Sequence, residues 1–336
     1  MYIDGIEIDL PPLLQRWGLE DYKVADNELN CFCPFRKHSS GGRKFYINRV
    51  SGLWQCKVCT DKKGNLTRLV MLLENVDRDA AREFLRSRGH EVDLEKFGEH
   101  IVDILYEQIK PLSVRGDKRL RKEAKRIMMR AVRIYAPYWE QRGLSKRTVS
   151  HWDLRVGDRR SAYPYIIPIY IGGKLYRVIR RTRLRSAHMK YYFQKGFKRS
   201  EVLFGLDETT ASEVSTLVIC EGPLDCISIW QALSENDLLD KYVPVALLGG
   251  FVSRTQAKLI SQYADEVILF FDNDEGGKVA TKSALDNLRG VFISLVNYGK
   301  YPAKDPGELT DDEIITMIKK AKPALSRKVR EIYGDG

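Results

Sequence analysis

The sequence predicts an α/β protein. Its C-terminal third should be a parallel sheet covered by helices, preceded by an α+β segment and, at the N-terminus, a small metal-binding ribbon. Three observations carry this expectation. From about residue 214 short apolar runs at 216–220, 243–248, 267–271 and 291–296 alternate with stretches long enough for helices, the spacing of a parallel sheet with crossover helices. Two of those runs are followed directly by acids, Glu221-Gly222-Pro223-Leu224-Asp225 and Asp272-Asn273-Asp274-Glu275-Gly276-Gly277. Four cysteines and a histidine fall within residues 31–59.

Taken in chain order, residues 1–30 mix helix and turn. Around the cysteines, residues 44–47 and 52–55 read as paired strands. Leu66, Leu69, Val70, Leu73, Ala81, Phe84 and Leu85 have helical spacing, which predicts a helix over 65–88 ended by Gly89. Residues 93–135 read as mainly helical with a breaker at Pro111, and the very basic stretch 115–133 as a linker helix. Strands are expected at 165–170, 175–180 and 190–193, with Gly172-Gly173 as the hairpin turn between the first two. Ser253 is an N-cap candidate for a helix over 254–264. The expected boundaries are 1–95 for the metal-binding domain, 96–135 for a basic helical linker, 136–213 for an α+β subdomain, 214–310 for the parallel-sheet subdomain and 311–336 for a helical tail.

Charge is unevenly placed. The chain carries a net charge of +11, yet residues 110–199 hold 26 Lys/Arg against 5 Asp/Glu, a local net of 26 − 5 = +21, so the rest is acidic. A basic middle followed by an acidic centre suits a polyanion held against a charged catalytic site. No apolar run approaches a membrane span and the N-terminus does not begin as a signal peptide, so a cytoplasmic protein without a membrane partner is expected. Six cysteines in 336 residues do not suggest a disulfide framework.

Cys56-Lys57-Val58-Cys59 is one half of a tetrahedral zinc site, and the segment 31–38 supplies the other. Cys33, Cys56 and Cys59 are expected ligands. The fourth is His38 or Cys31; His38 is preferred because Cys31-x-Cys33 is a tight bite on one metal. No general base is placed for a catalytic zinc, so one structural ion is expected. Trp54 and Lys44, with neighbouring aromatics and arginines, are candidates for stacking on and pairing with a single strand, packing around the zinc being the alternative for Trp54.

Acids at the C-terminal ends of parallel strands face one crevice. Crowded there, Glu221, Asp272 and Asp274, with Asp305 just beyond the last strand, call for hard cations such as Mg²⁺ or Mn²⁺, the metals of phosphate chemistry. An EF-hand is excluded because its twelfth position would be Ser283. Arg177, Arg181, Arg183 and Arg185 alternate along one strand, which puts them on one face as a strip for a template backbone.

The Glu-Gly-x-x-Asp turn, Leu248-Gly249-Gly250 and Phe271-Asp272-Asn273-Asp274-Glu275-Gly276-Gly277 together resemble a TOPRIM domain. Tyr138-Trp139-Glu140-Gln141-Arg142-Gly143-Leu144, Tyr165-Ile166-Ile167-Pro168-Ile169, Arg180-Arg181, Lys190-Tyr191-Tyr192 and Val202-Leu203-Phe204-Gly205-Leu206 then follow the order of bacterial and phage-type DNA primases, with a zinc ribbon in front. The resemblance spans about residues 30–310. It implies a primase catalytic core that makes RNA primers from NTPs on single-stranded DNA, with two catalytic Mg²⁺ or Mn²⁺ ions on Glu221, Asp272, Asp274 and Asp305. By position in the family, Lys190 and Arg142 would contact nucleotide phosphates or template. An RNA–DNA hybrid product and a separate replicative helicase are the further implied partners.

Two departures stand out. Arg36 occupies the position after Cys-Pro-Phe where the family usually has His, and Gly307 stands where the family has a second late acid, with Glu308 or Asp311 as conjectural replacements. A TOPRIM nuclease and a non-catalytic zinc/TOPRIM DNA clamp of the recombination-mediator type are the alternative functions.

Overall fold

The computed structural model describes residues 2–3, 6–25, 28–39, 41–49, 52–59, 62–91, 118–184, 189–206, 216–288 and 290–324. The expected breaker at Pro111, Arg185 of the strip, and residues 325–336 of the expected tail lie outside these residues. Two compact units divide the chain, one of residues 1–110 with 289–292 and one of residues 111–288 with 293–336.

In the first unit β1 (Tyr2–Ile3) and β2 (Ile6–Ile8) lead into α1 (Leu10–Arg16). Then β3 (Lys23–Ala25), β4 (Glu28–Cys31), β5 (Phe45–Asn48), β6 (Trp54–Cys56) and β7 (Lys63–Gly64) form an antiparallel sheet in chain order. Phe45 pairs with Cys56 and Ile47 with Trp54 across β5 and β6, so all four side chains point to one face and are buried. Leu13, Leu14, Leu29, Leu66 and Leu69 complete that core.

The single helix expected over 65–88 is two helices, α2 (Leu66–Glu74) and α3 (Arg78–Arg86). Asn75 takes a left-handed conformation at φ 54°, and the Asp77 side chain caps α3 by accepting from Ala80 N at 2.8 Å. Apolar spacing runs on through the break because both helices pack on the same core. Gly89 opens β8 (Gly89–Glu91), which pairs with β2.

The second unit begins with α4 (Lys118–Arg130), α5 (Pro137–Gln141) and α6 (Lys146–His151). An antiparallel sheet follows, of β9 (Arg155–Val156), β10 (Tyr165–Ile171), β11 (Lys174–Arg181) and β12 (Tyr191–Phe193), in the order β12-β11-β10-β9. The expected linker helix is part of this unit rather than a free connector. Ala124, Met128 and Ala131 pack on Ile166 and Val178 of the sheet, an i, i+4 stripe hidden among the basic residues.

From residue 216 the alternation is as expected: β13 (Thr216–Cys220), α7 (Pro223–Glu235), β14 (Tyr242–Ala246), α8 (Arg254–Tyr263), β15 (Glu266–Leu269), α9 (Glu275–Asn287) and β16 (Phe292–Leu295). Then come α10 (Asp311–Lys319) and β17 (Lys322–Pro323), which adds antiparallel to β16. The sheet order is β14-β13-β15-β16-β17, with β14 and β15 parallel to β13. Ser253 caps α8 in a full capping box with Gln256. Trp139, Ile167, Ile179, Phe204, Val218, Ile229 and Phe270 belong to one core that joins the two sheets. Cys220 and Cys226 are fully buried in it as packing thiols. No helix among the described residues is long and apolar enough to cross a membrane.

One ionic knot should be measurable in this unit. Asp153, at φ 47°, accepts from Arg155 Nε at 2.9 Å and Nη2 at 2.8 Å, from Arg133 Nε at 2.8 Å and from Tyr170 Oη at 2.8 Å. Burial pushes its carboxyl up, but the hydrogen bonds from Arg155, Tyr170 and Arg133 outweigh that and leave it below its ordinary value. A depressed carboxyl stabilises the fold above its unfolded pKa, and that contribution disappears as pH falls through the folded value. Asp153→Asn keeps the turn-compatible shape and removes the charge. It should cost about 1.5–3 kcal/mol at neutral pH. In urea unfolding, the gap from the native protein should close as pH drops below the ordinary carboxylate range.

Candidate functional site

Among the described residues, one set of three or more Cys, His, Asp or Glu side chains has its donor atoms already gathered for a metal. It is Cys33, His38, Cys56 and Cys59, all within 4.8 Å of one another. The tight turn after β6 brings Cys59 N to 3.4 Å from Cys56 Sγ, and His38 Nε2 lies 3.2 Å from Cys56 Sγ and 3.7 Å from Cys59 Sγ. Despite its burial, hydrogen bonds from Cys59 and Val58 backbone hold the Cys56 thiol below its ordinary value. The structure thus gathers His38, and not Cys31, with the three sulfurs. Cys31 lies fully buried in the apolar core, where burial pushes its thiol up to about 12. Arg36, the departure noted in the sequence, donates from Nε to Cys59 Sγ at 3.2 Å. A cation facing a ligand thiolate in this way steadies its charge.

Trp54 is not a stacking surface. It is 1% exposed, its ring lies 5.3 Å from Phe45 and 5.6 Å from Phe35, and its indole N–H donates to Asn65 O. Lys44 is half-buried and its carbonyl accepts from Lys57 N at 2.9 Å, which ties the ligand turn to β5.

The acidic centre is built at the ends of β13 and β15. These strands run parallel with Ile219 opposite Leu269, and Phe270 N donates to Ile219 O at 2.8 Å. The chain then delivers Glu221 and Asp272 side by side, with Asp272 N donating to Glu221 Oε1 at 3.3 Å. Asn273 anchors this turn to the loop carrying Asp305, through its N–H to Lys304 O at 2.6 Å and its side chain to Ala303 O at 3.3 Å. Asp274 is exposed and caps α9 by accepting from Gly277 N at 3.1 Å, so one of its oxygens serves the helix terminus.

One acid was overlooked in the sequence. Asp225, on the first turn of α7, is 8% exposed and faces Asp305 and Asp272. The Glu-Gly-x-x-Asp motif contained the signal, since a residue four after Glu221 returns to the same end of the helix. Burial, then the charges of Asp225, Glu221, Asp305 and Asp274, push Asp272 up to about 8. Burial and Asp305 push Asp225 up to about 7 against the pull of Arg142 and Arg181. Burial also raises Glu221 and Asp305. Asp272 Oδ1 and Asp305 Oδ1 are buried without a hydrogen-bond partner. Crowded, partly desolvated carboxylates with unsatisfied oxygens fit a hard divalent cation. The cluster is more open than the Cys/His cage, as suits a metal that keeps waters and substrate phosphates in its shell. Tyr298, for which the sequence offered no signal, buries an unpartnered hydroxyl beside these acids.

The basic residues sort differently from the expected strip. Arg181 shares its strand face with Ile179 and reaches the acids. Its Nε donates to Tyr138 Oη at 3.1 Å, its guanidinium lies 4.4 Å from the Tyr191 ring centre, and its charge acts on Asp225. Arg142 acts on Asp225 and Asp305, and Lys190 on Asp305. Arg177 shares that face but is only 3% exposed, with its guanidinium over Tyr176, so it does not belong to an open strip. Arg183 is exposed at the strand end, and Arg185 lies outside the described residues.

Of the two conjectured replacements for the acid missing at 307, Glu308 lies near enough for its charge to raise Asp305, and each has one oxygen engaged by a donor. Glu308 Oε2 accepts from Lys304 N at 2.9 Å, and Asp311 Oδ2 accepts from Gln231 Nε2 at 3.3 Å. A Cβ at Gly307 would sit 3.2 Å from Asp225 Oδ1 and 3.3 Å from Asp305 Oδ1, so the bare backbone leaves room for Asp225. At Gly277 a Cβ would overlap the carbonyl oxygen of Asp272. Gly277→Ala should therefore displace Asp272 from the other acids and weaken divalent-cation binding at this centre, read as a smaller Mn²⁺-induced rise in melting temperature than in the native protein.

Residues 218–310 match the Toprim-like family. The DNA primase of Clostridium acetobutylicum is 36% identical over 118 residues, which is 34% of this chain and 18% of that protein. That of Thermotoga maritima is 25% identical over 346 residues, 88% of this chain and 56% of that protein. The chain thus matches about half, or less, of the length of these relatives. Among solved structures, the zinc-binding and RNA polymerase domains of the Aquifex aeolicus primase align with 97% of this chain and 88% of that one at 20% identity and a TM-score of 0.46. Residues 218–310 thus match a Toprim-like domain, and along most of its length the chain is similar in sequence to the DNA primase of Thermotoga maritima.

Proposed function

We propose that the protein is a DNA-directed RNA polymerase that makes short RNA primers from NTPs on a single-stranded DNA template. The observation that carries this is the meeting of Glu221, Asp225, Asp272 and Asp305 with Arg142, Arg181 and Lys190 at the ends of β13 and β15. A triphosphate needs both signs of charge: acids to hold its metal and cations to hold its phosphates.

Glu221, Asp225, Asp272 and Asp305, with the free oxygen of Asp274, would hold Mg²⁺ or Mn²⁺. Two such ions, when bound, lower the pKa of an attacking hydroxyl and stabilise a leaving pyrophosphate. Arg142, Arg181 and Lys190 neutralise triphosphate or template charge. Gly222 and Gly307 keep side chains out of the space around Asp225. Cys33, His38, Cys56 and Cys59 would hold one structural zinc. The unit they close is assigned to choosing the initiation sequence, and an RNA–DNA hybrid is the product. A separate replicative helicase is the assigned protein partner, and the bacterial or phage-host cytoplasm the assigned setting.

Template complementarity tests this function. On a homopolymeric single strand, only the complementary NTP should be consumed. Consumption of all four NTPs alike would refute template direction.

A further inference from the structure

The helix α4 carries seven Lys/Arg and one acid, Glu123, in thirteen residues. Its apolar stripe is fixed against Ile166 and Val178. Side chains alternate along strands, and antiparallel partners share a face. Ile166 and Val178 therefore lie on one face of the β9–β12 sheet. Ile167 and Ile179, which pair with each other, lie on the opposite face, where they join the core of the parallel sheet. Arg181, which reaches the acids, is on that second face, two residues from Ile179. The exposed side of α4 is thus on the far side of this sheet from the acidic centre.

That exposed side is laid out regularly. Lys122, Lys125, Arg126 and Arg130 are all exposed; Lys122, Arg126 and Arg130 recur every four residues, with Lys125 next to Arg126. At 1.5 Å per residue they form a line of cations with a charge about every 5–6 Å. Arg133, just beyond, is committed to Asp153. Met129 stands in the same line, 85% exposed. The sole acid of the helix cannot balance this line, and holding like charges together on one surface is unfavourable without a counter-charge.

We propose that the outer ridge of α4 is a second binding track for single-stranded nucleic acid, separate from the cleft, which holds template outside the segment being copied. The ridge is convex. A flexible single strand can follow it with successive phosphates, whereas a duplex with a persistence length of about 50 nm touches it only tangentially. Single-stranded DNA as the occupant rests on the template function proposed above. The electrostatic requirement for a polyanion does not.

The test is the salt dependence of binding to a fluorescent single-stranded oligonucleotide of about thirty nucleotides, longer than the 4–16 nucleotides one single-strand module covers. The variant replaces Lys122, Lys125, Arg126 and Arg130 together by Gln. Gln matches Lys and Arg in helix propensity, so α4 should persist, and circular dichroism checks this. Each lost phosphate contact should make the slope of log K against log salt shallower by about 0.7, so about 3 for all four. The Michaelis constant for template should rise at least about 10-fold, with kcat at saturating template unchanged. A companion variant with Lys122→Arg and Lys125→Arg should keep the native slope.

An unchanged slope overturns the proposal. A fall in kcat matching the fall in affinity places the ridge in the cleft and overturns its separateness. A larger loss on duplex than on single strand overturns the assigned occupant. If the native protein makes no RNA at all, the polymerase function fails, yet the salt slope still decides whether the ridge binds a single strand.

Discussion

Asp272→Asn should abolish primer synthesis, lowering the rate by at least about 10³-fold, or roughly 4 kcal/mol of transition-state stabilisation. Asp272 is the most crowded acid of the centre. It is flanked by Glu221, Asp225, Asp305 and Asp274, with one oxygen left without a partner. The same substitution should have an opposite effect on the metal-free fold. Asp272, pushed up to about 8 in the metal-free fold, must take up a proton to fold at neutral pH, a cost Asn does not carry, so the variant should melt higher than the native protein in the presence of a chelator. Adding Mn²⁺ should raise the melting temperature of the native protein and shift the variant much less. Loss of activity with an unaltered metal-induced shift would place the metal elsewhere. Binding to single-stranded DNA, held by cations rather than by these acids, should persist.

Zinc removal should have the second large effect, confined to the N-terminal unit. Its sheet is short-stranded, and the turn after β6 and the segment 33–38 are drawn together by Cys33, His38, Cys56 and Cys59. Structural zinc sites carry apparent binding energies on the order of 10–16 kcal/mol, more than a small sheet retains without them. Chelation, or Cys59→Ser, should release one zinc per chain and expose Trp54, now 1% exposed between Phe45 and Phe35, with a red shift of its emission. Trp139 and the rest of the second unit's core contain none of these ligands and should keep their structure. An unshifted emission after complete zinc release would show that the apolar core of Leu13, Leu14, Phe45 and Leu66 suffices by itself.

The parts of this protein legible in its sequence are those set by local spacing. Cys56-x-x-Cys59 with Cys33 and His38 needs only a hairpin turn to close. The strands before Glu221 and Asp272 were legible because a buried parallel strand is an unbroken apolar run with a turn after it. What failed depended on which side of an element faces the core. Trp54 and Cys56 are two apart on one strand, so the zinc ligand and the tryptophan had to face the same way, inward. Arg177 and Arg181 do share a face, but the core covers one end of it. The stripe of Ala124 and Met128 on α4, continued by Ala131 just after it, is masked by the helix's cations, which is why this docked helix reads as a linker in sequence. Asp225 stands in the quoted motif, but its approach to Asp305 is not legible there, because it joins the first turn of α7 to a loop eighty residues on in sequence.

The most direct test of the acidic centre as a polymerase site is an incubation with mixed-sequence single-stranded DNA, NTPs with one of them labelled, and Mg²⁺ or Mn²⁺. The native protein should yield short labelled RNA with intact template, and Asp272→Asn should yield none. Shortened template without RNA, from the native protein with either metal, would contradict the account and make the same acids those of a nuclease.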